Sequence, residues 1–143
     1  MCGLVGFLKP GGFDGDIAAE VIQRMSLSLH HRGPDDHGIW HSPQDGIALG
    51  HQRLSILDLS PAGHQPMISE SGRYVIVFNG EIYNHNELRQ RLPDQSWHGH
   101  SDTETLLAGI EKWGLENTLR ASVGMFALGL WDRKQRALFL ARD

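Results

Sequence analysis

The sequence predicts an α+β fold in which sheet packs against helices. Three observations carry this. Strand-like runs and stretches of helical periodicity alternate along the chain. One run, Tyr74-Val75-Ile76-Val77-Phe78, is an unbroken β-branched and aromatic series, the composition of a central strand buried on both faces. Hydrophobic residues make up 40% and charged residues 21% of the 143 residues, which suits one packed core rather than a disordered chain. The length predicts a single domain over 1–143.

Leu4–Leu8 is a short apolar run closed by Lys9-Pro10-Gly11-Gly12, hence a strand and a turn. Asp16 is placed to cap a helix whose apolar positions Ile17, Val21, Met25 and Leu29 recur every four residues. His30-His31-Arg32-Gly33-Pro34-Asp35-Asp36 breaks that pattern and predicts a loop. Strands are predicted near Gly38–His41 and over Ile47–Ile56, followed by a Pro-, Gly- and Ser-containing loop over Asp58–Pro66. After the Tyr74–Phe78 strand, Asn84 or Asn86 starts a short helix that ends near Leu92-Pro93. Ser101-Asp102-Thr103-Glu104 has capping-box spacing, and Leu106, Leu107, Ile110 and Trp113 behind it share a helical face that Gly114 ends. A further helix covers Glu116–Ala121. Strands Met125–Trp131 and Ala137–Ala141 are joined by the polar turn Asp132–Arg136.

Composition excludes several function classes. The formal net charge is −4 with acids and bases interspersed, whereas phosphate backbones call for a basic patch, so nucleic acid is not the expected partner. No apolar stretch is long enough to span a bilayer, and Met1-Cys2-Gly3-Leu4 lacks the pattern of an export signal. With one cysteine there is no internal disulfide, and the expected setting is the reducing cytoplasm. The nine histidines show no zinc-type spacing, so no metal is expected. No G-x-S-x-G and no phosphate-binding glycine loop occurs.

Cys2 is the candidate nucleophile because of its position. Removal of Met1 would leave a thiol and a free α-amine on one residue. An α-amine has a reference pKa of about 7.7–8, so a useful fraction is neutral at pH 7 and able to accept a proton. Nucleophile and base are then joined by covalent geometry.

Five segments complete the pattern: Met1-Cys2-Gly3-Leu4-Val5-Gly6, His31-Arg32-Gly33-Pro34-Asp35, Gly50-His51-Gln52-Arg53-Leu54-Ser55-Ile56, Asn79-Gly80-Glu81-Ile82-Tyr83-Asn84 and Ser101-Asp102-Thr103-Glu104. With them the chain resembles the class II glutamine amidotransferases, whose glutaminase domain is of the N-terminal-nucleophile (Ntn) hydrolase type. The run Arg53–Ser60 followed by Gly63-His64-Gln65-Pro66 is similar to the asparagine synthetase branch. The resemblance implies a four-layer αββα sandwich. It implies that Cys2 attacks the side-chain amide of L-glutamine, giving a thioester and ammonia, with its own amine shuttling the proton. Asn79 and Gly80 would form the oxyanion hole. Arg53 would hold the α-carboxylate, and Glu81 and Asp102 the α-ammonium. Leu54, Ile56 and Leu57 would line the pocket, and Arg32–Asp36 would fold over bound glutamine.

Family members continue past Asp143 with more glutaminase sequence and a synthetase domain that binds ATP and magnesium. The expectation is therefore a C-terminally truncated sandwich that carries no cofactor itself, its partners being glutamine and the missing synthetase domain, with aspartate the expected acceptor. Unpaired sheet edges would favour a homodimer or aggregation. Two alternatives stand beside an active glutaminase: a silent glutamine-binding module, and the glutaminase of an amidotransferase acting on another carboxylate or a sugar.

Overall fold

The structure is a computed structural model that describes residues 2–55 and 60–143. Its elements run in the order β1 (Gly3–Leu8), α1 (Gly15–Leu27), β2 (Asp36–Ser42), β3 (Ile47–Arg53), β4 (Met67–Ile68), β5 (Tyr74–Ile82), α2 (His85–Gln90), α3 (Asp102–Trp113), α4 (Leu115–Ala121), β6 (Gly124–Asp132) and β7 (Ala137–Arg142). Short 3-10 turns lie at His30–Arg32 and Pro61–Gly63. Two antiparallel sheets result, one ordered β1-β3-β2 and the other β4-β5-β6-β7.

The side-chain period of two explains the layering. On β5, Val75 and Val77 point to the first sheet and pack with Ile47, Leu49 and Trp131 between the sheets. Tyr74, Ile76 and Phe78 point the other way, onto Leu106, Leu107 and Ile110 of α3 and Leu88 of α2. The unbroken apolar run is thus a strand buried on both faces, and the α+β expectation holds as an αββα sandwich. α1 covers the outer face of the first sheet, where Gly50 lies against Ile22 and Ser26.

Five local expectations need correction. α1 is capped by Asp14, whose Oδ1 accepts from the backbone N–H groups of Asp16 and Ile17, because that oxygen reaches two otherwise unpaired donors. α1 buries Ala18, Ile22 and Ser26, one position away from the expected stripe, while Ile17 is 64% and Val21 40% exposed. The outer face of β3 presents Ala48, Gly50 and Gln52, so small residues and a polar bond, Gln52 Nε2–H to Ser26 Oγ at 3.0 Å, select the facing side of the helix.

At Ser101 half of the capping box forms: its Oγ accepts from Glu104 N–H at 3.2 Å. The Glu104 carboxylate instead accepts from His98 and Gly99 N–H and pairs with Arg89. Finally, β3 ends at Arg53, whereas β5 runs on through Asn79, Gly80 and Glu81 to Ile82.

Candidate active site

In the β1–β3 ladder Gly3 pairs with Gln52, so the next residues outward, Cys2 and Arg53, bring their side chains to the same inter-sheet face. Cys2 is half-buried. Leu54 N–H donates to its Sγ at 3.3 Å and the thiol faces Leu54 C=O at 3.6 Å. A backbone donor aimed at sulfur can stabilise negative charge developing there.

Arg53 is 7% exposed. One guanidinium nitrogen donates to Ser60 C=O at 2.9 Å and lies 3.9 Å from the Asp36 carboxylate. The same Asp36 oxygen is 2.8 Å from His64 Nδ1. Gly63 lies flat against the guanidinium: a Cβ there would sit 2.1 Å from an Arg53 nitrogen. The segment expected to cover glutamine is fastened to this strand end, since Asp35 N–H donates to Arg53 C=O and Asp35 Oδ2 accepts from Ser55 N–H at 2.8 Å.

The second sheet supplies the rest. Asn79, Gly80 and Glu81 follow one another on β5, and Gly80 is required by packing, because a Cβ would lie 2.3 Å from Met125 C=O on β6. Asp102 opens α3, is 6% exposed, and accepts the Ile82 N–H at 2.8 Å. Burial pushes its carboxyl above the ordinary range, partly offset by that bond.

Backbone polarity along β5 alternates. Tyr74 exchanges bonds with Ser69, and Phe78 and Ile82 both donate to side chains, all on the edge away from β6. By the same alternation the Gly80 N–H points to this edge, off β6.

Cys2, Arg53, Leu54, Asn79, Gly80, Glu81 and Asp102 all line one cleft with a cavity volume of ≈100 Å³. Ile56 and Leu57 lie outside the described residues. The cleft therefore joins a thiol, a guanidinium, a carboxamide and two carboxylates, a set matched to a zwitterionic amino acid bearing a side-chain acyl group. The Asn79 carboxamide oxygen is buried without a partner among the described residues.

Gly63, Gln65, Ser101 and Thr103 also line the cleft. Sequence reasoning did not single them out as site residues, although Gly63-His64-Gln65-Pro66 served as a branch marker. Among the described residues no group of three or more His, Cys, Asp or Glu is placed to hold a metal ion. Among the described residues no helix is long and apolar enough to cross a membrane.

A family model described as a glutamine amidotransferase domain matches residues 1–143. A putative glutamine-hydrolysing asparagine synthetase of Mycobacterium tuberculosis is 44% identical, over 100% of this chain and 24% of its own length. Asparagine synthetase 1 of Bacillus subtilis, also named glutamine-hydrolysing, is 39% identical over 100% of this chain and 22% of its own length. The chain thus spans about a quarter of the curated relatives it matches. Among solved structures, the glutamine phosphoribosylpyrophosphate amidotransferase of Bacillus subtilis superposes with a TM-score of 0.74 at 20% identity, over 98% of this chain and 37% of that one.

Proposed function

This chain belongs to the glutamine amidotransferase domain family, and from that premise we propose that it hydrolyses L-glutamine to glutamate and ammonia through a thioester on Cys2. The observation that carries the reading is the convergence of Cys2, Arg53, Asn79, Gly80, Glu81 and Asp102 on one cleft from both sheets. A chance grouping would not match both charges of the amino acid and place a nucleophile beside them.

In the first step the Cys2 sulfur bonds to the side-chain amide carbon, and its proton passes to the α-amine of the same residue. The electron pair of the C=O moves onto oxygen, where the Asn79 carboxamide and the Gly80 N–H receive it. Collapse expels the amide nitrogen, which takes the proton from the α-ammonium and leaves as ammonia. Water then attacks the thioester, gives a proton back through the amine to sulfur, and glutamate departs. Arg53 holds the α-carboxylate in a planar fork, and Glu81 and Asp102 hold the α-ammonium. Leu54 contributes its backbone beside the sulfur.

In a longer protein the ammonia would pass to an ATP-activated carboxylate, aspartate by the names of the relatives. ATP and magnesium would then be held outside these residues, and the glutaminase step itself needs no cofactor.

The test combines N-terminal mass spectrometry with an assay of glutamate and ammonia. Protein lacking Met1 is expected to release both in equal amounts, and Cys2→Ala neither. Ammonia release that survives in Cys2→Ala overturns the assignment, as does an inert, folded wild type with Met1 removed.

A further inference from the structure

The oxyanion strand is missing a neighbour where it matters. Along β6 the pairing of β5 is continuous from Tyr74↔Asp132 to Ile82↔Gly124. Along its other edge β4 covers only Ile76 and Val75. Beyond β4, no strand among the described residues pairs with this edge at Phe78, Gly80 and Ile82, and Phe78 and Ile82 are buried. Buried amide groups left in that state are costly, so their partners must come from elsewhere.

They come from side chains. The Phe78 N–H donates to Gln65 Oε1 at 2.6 Å, and the Phe78 C=O accepts from His51 Nε2 at 2.9 Å. Both side chains are buried, His51 at 0% and Gln65 at 5% exposure. Gln65 is itself held, its Nε2–H donating to Thr103 Oγ1 at 3.2 Å. Because a carbonyl can only accept, His51 carries its proton on Nε2, and its Nδ1 has no partner among the described residues. Burial lowers its pKa to about 4, which keeps that neutral form at physiological pH. Asp102 performs the same service at Ile82. Gly80, between the two clamped residues, lines the cleft, and among the described residues no side chain is bonded to its N–H.

We infer that His51 and Gln65 are positioning residues that replace the absent strand at Phe78 and so set the place of Asn79 and the Gly80 N–H over Cys2. Neither touches the reacting atoms in the scheme above, and the inference rests on the glutaminase reading. Its signature follows from the division of labour. Cys2 and Arg53 are carried by the other sheet, so loosening Phe78 moves the oxyanion donors without moving the nucleophile or the carboxylate fork.

The deciding comparison is His51→Gln against His51→Asn. Both are neutral amides; only the longer one carries its N–H to where Nε2 lies. His51→Gln is expected to retain most of the turnover. His51→Asn should lose about tenfold or more in kcat, approaching the ~10²-fold of a deleted oxyanion donor. In both, KM for glutamine should stay within about threefold, and iodoacetamide should alkylate Cys2 as in the wild type. Gln65→Met, which removes the acceptor for Phe78 N–H, should match His51→Asn.

Equal kcat in the two His51 variants overturns the proposal. So does a KM that rises in step with the fall in kcat, or a parallel loss of Cys2 alkylation, since either marks general damage. Should His51→Asn fail to fold, Gln65→Met carries the same comparison against Gln65→Glu, which keeps the acceptor. A wild type that is alkylated at Cys2 but releases no ammonia removes the glutaminase reading and this proposal with it; an active wild type with insensitive variants removes the proposal alone.

Discussion

The two sheets contribute to the cleft in different ways. On the first sheet, Cys2 and Arg53 are placed by an ordinary strand ladder, with Asp36, Ser60 and Gly63 fitted around the guanidinium. On the second, Asn79 and Gly80 sit on a strand whose outer edge is held by side chains at Phe78 and Ile82. A ladder shares its load over many bonds, so single changes are absorbed. A side-chain clamp concentrates the load on one or two groups, and leaves the adjacent N–H available for chemistry. Under the glutaminase reading, the first arrangement suits binding of the substrate's α-carboxylate, the second stabilisation of charge that exists only in passing.

This contrast breaks most visibly in kinetics. Asn79→Ala should depress kcat by about 10²–10³, roughly 2.7–4 kcal/mol, with KM little changed. Equal losses in both parameters would make Asn79 a structural residue.

The clamp also predicts an acid sensitivity. His51 titrates near 4 in the folded protein, below its ordinary 6.5. Below pH 6.5 the unfolded chain takes up a proton that the folded chain refuses until about pH 4. Stability from this group is therefore complete above 6.5 and is lost as pH falls toward 4, by about 3 kcal/mol for the 2.5-unit gap at ~1.4 kcal/mol per unit. Urea denaturation at pH 7 and 4.5 should show the loss, and His51→Gln should reduce it. An identical pH dependence in that variant would contradict the buried neutral imidazole.

The ladder-held half should answer in KM. Arg53→Ala is expected to raise KM about tenfold or more, the value of a charge-assisted hydrogen bond or two, with a smaller change in kcat. Gly63→Ala should shift KM in the same direction by less, because its methyl would displace the guanidinium rather than remove it. Unchanged KM in both would detach Arg53 from the α-carboxylate.

Much of this was legible in the sequence because local chemistry and fold agreed. The β-branched and aromatic Tyr74–Phe78 run suits a doubly buried strand, and α3 shows a broad apolar face that meets the deep core of the second sheet. The motif residues Cys2, Arg53, Asn79, Gly80, Glu81 and Asp102 do line one cleft. α1 was misread because its regular stripe, Ile17, Val21 and Met25, is not what the first sheet receives. That sheet's outer face is small and partly polar, and a small-polar partner cannot be inferred from helical period alone. Ile17→Ala should thus alter stability by less than about 0.5 kcal/mol, against about 2–5 for Ile22→Ala. The clamp was legible only in part: His51 and Gln65 lie inside family-like segments, which marks them as candidate supporting groups, but their partner, the backbone of Phe78, is distant in sequence.

Under the glutaminase reading, the sulfur of Cys2 stands at the reactive end of a cleft that accepts glutamine. Incubation with 6-diazo-5-oxonorleucine, followed by peptide mapping, tests it directly. Stoichiometric modification at Cys2, prevented by excess glutamine and absent in Cys2→Ala, is the predicted result. Modification at another residue, or an unmodified folded protein with Met1 removed, would contradict it.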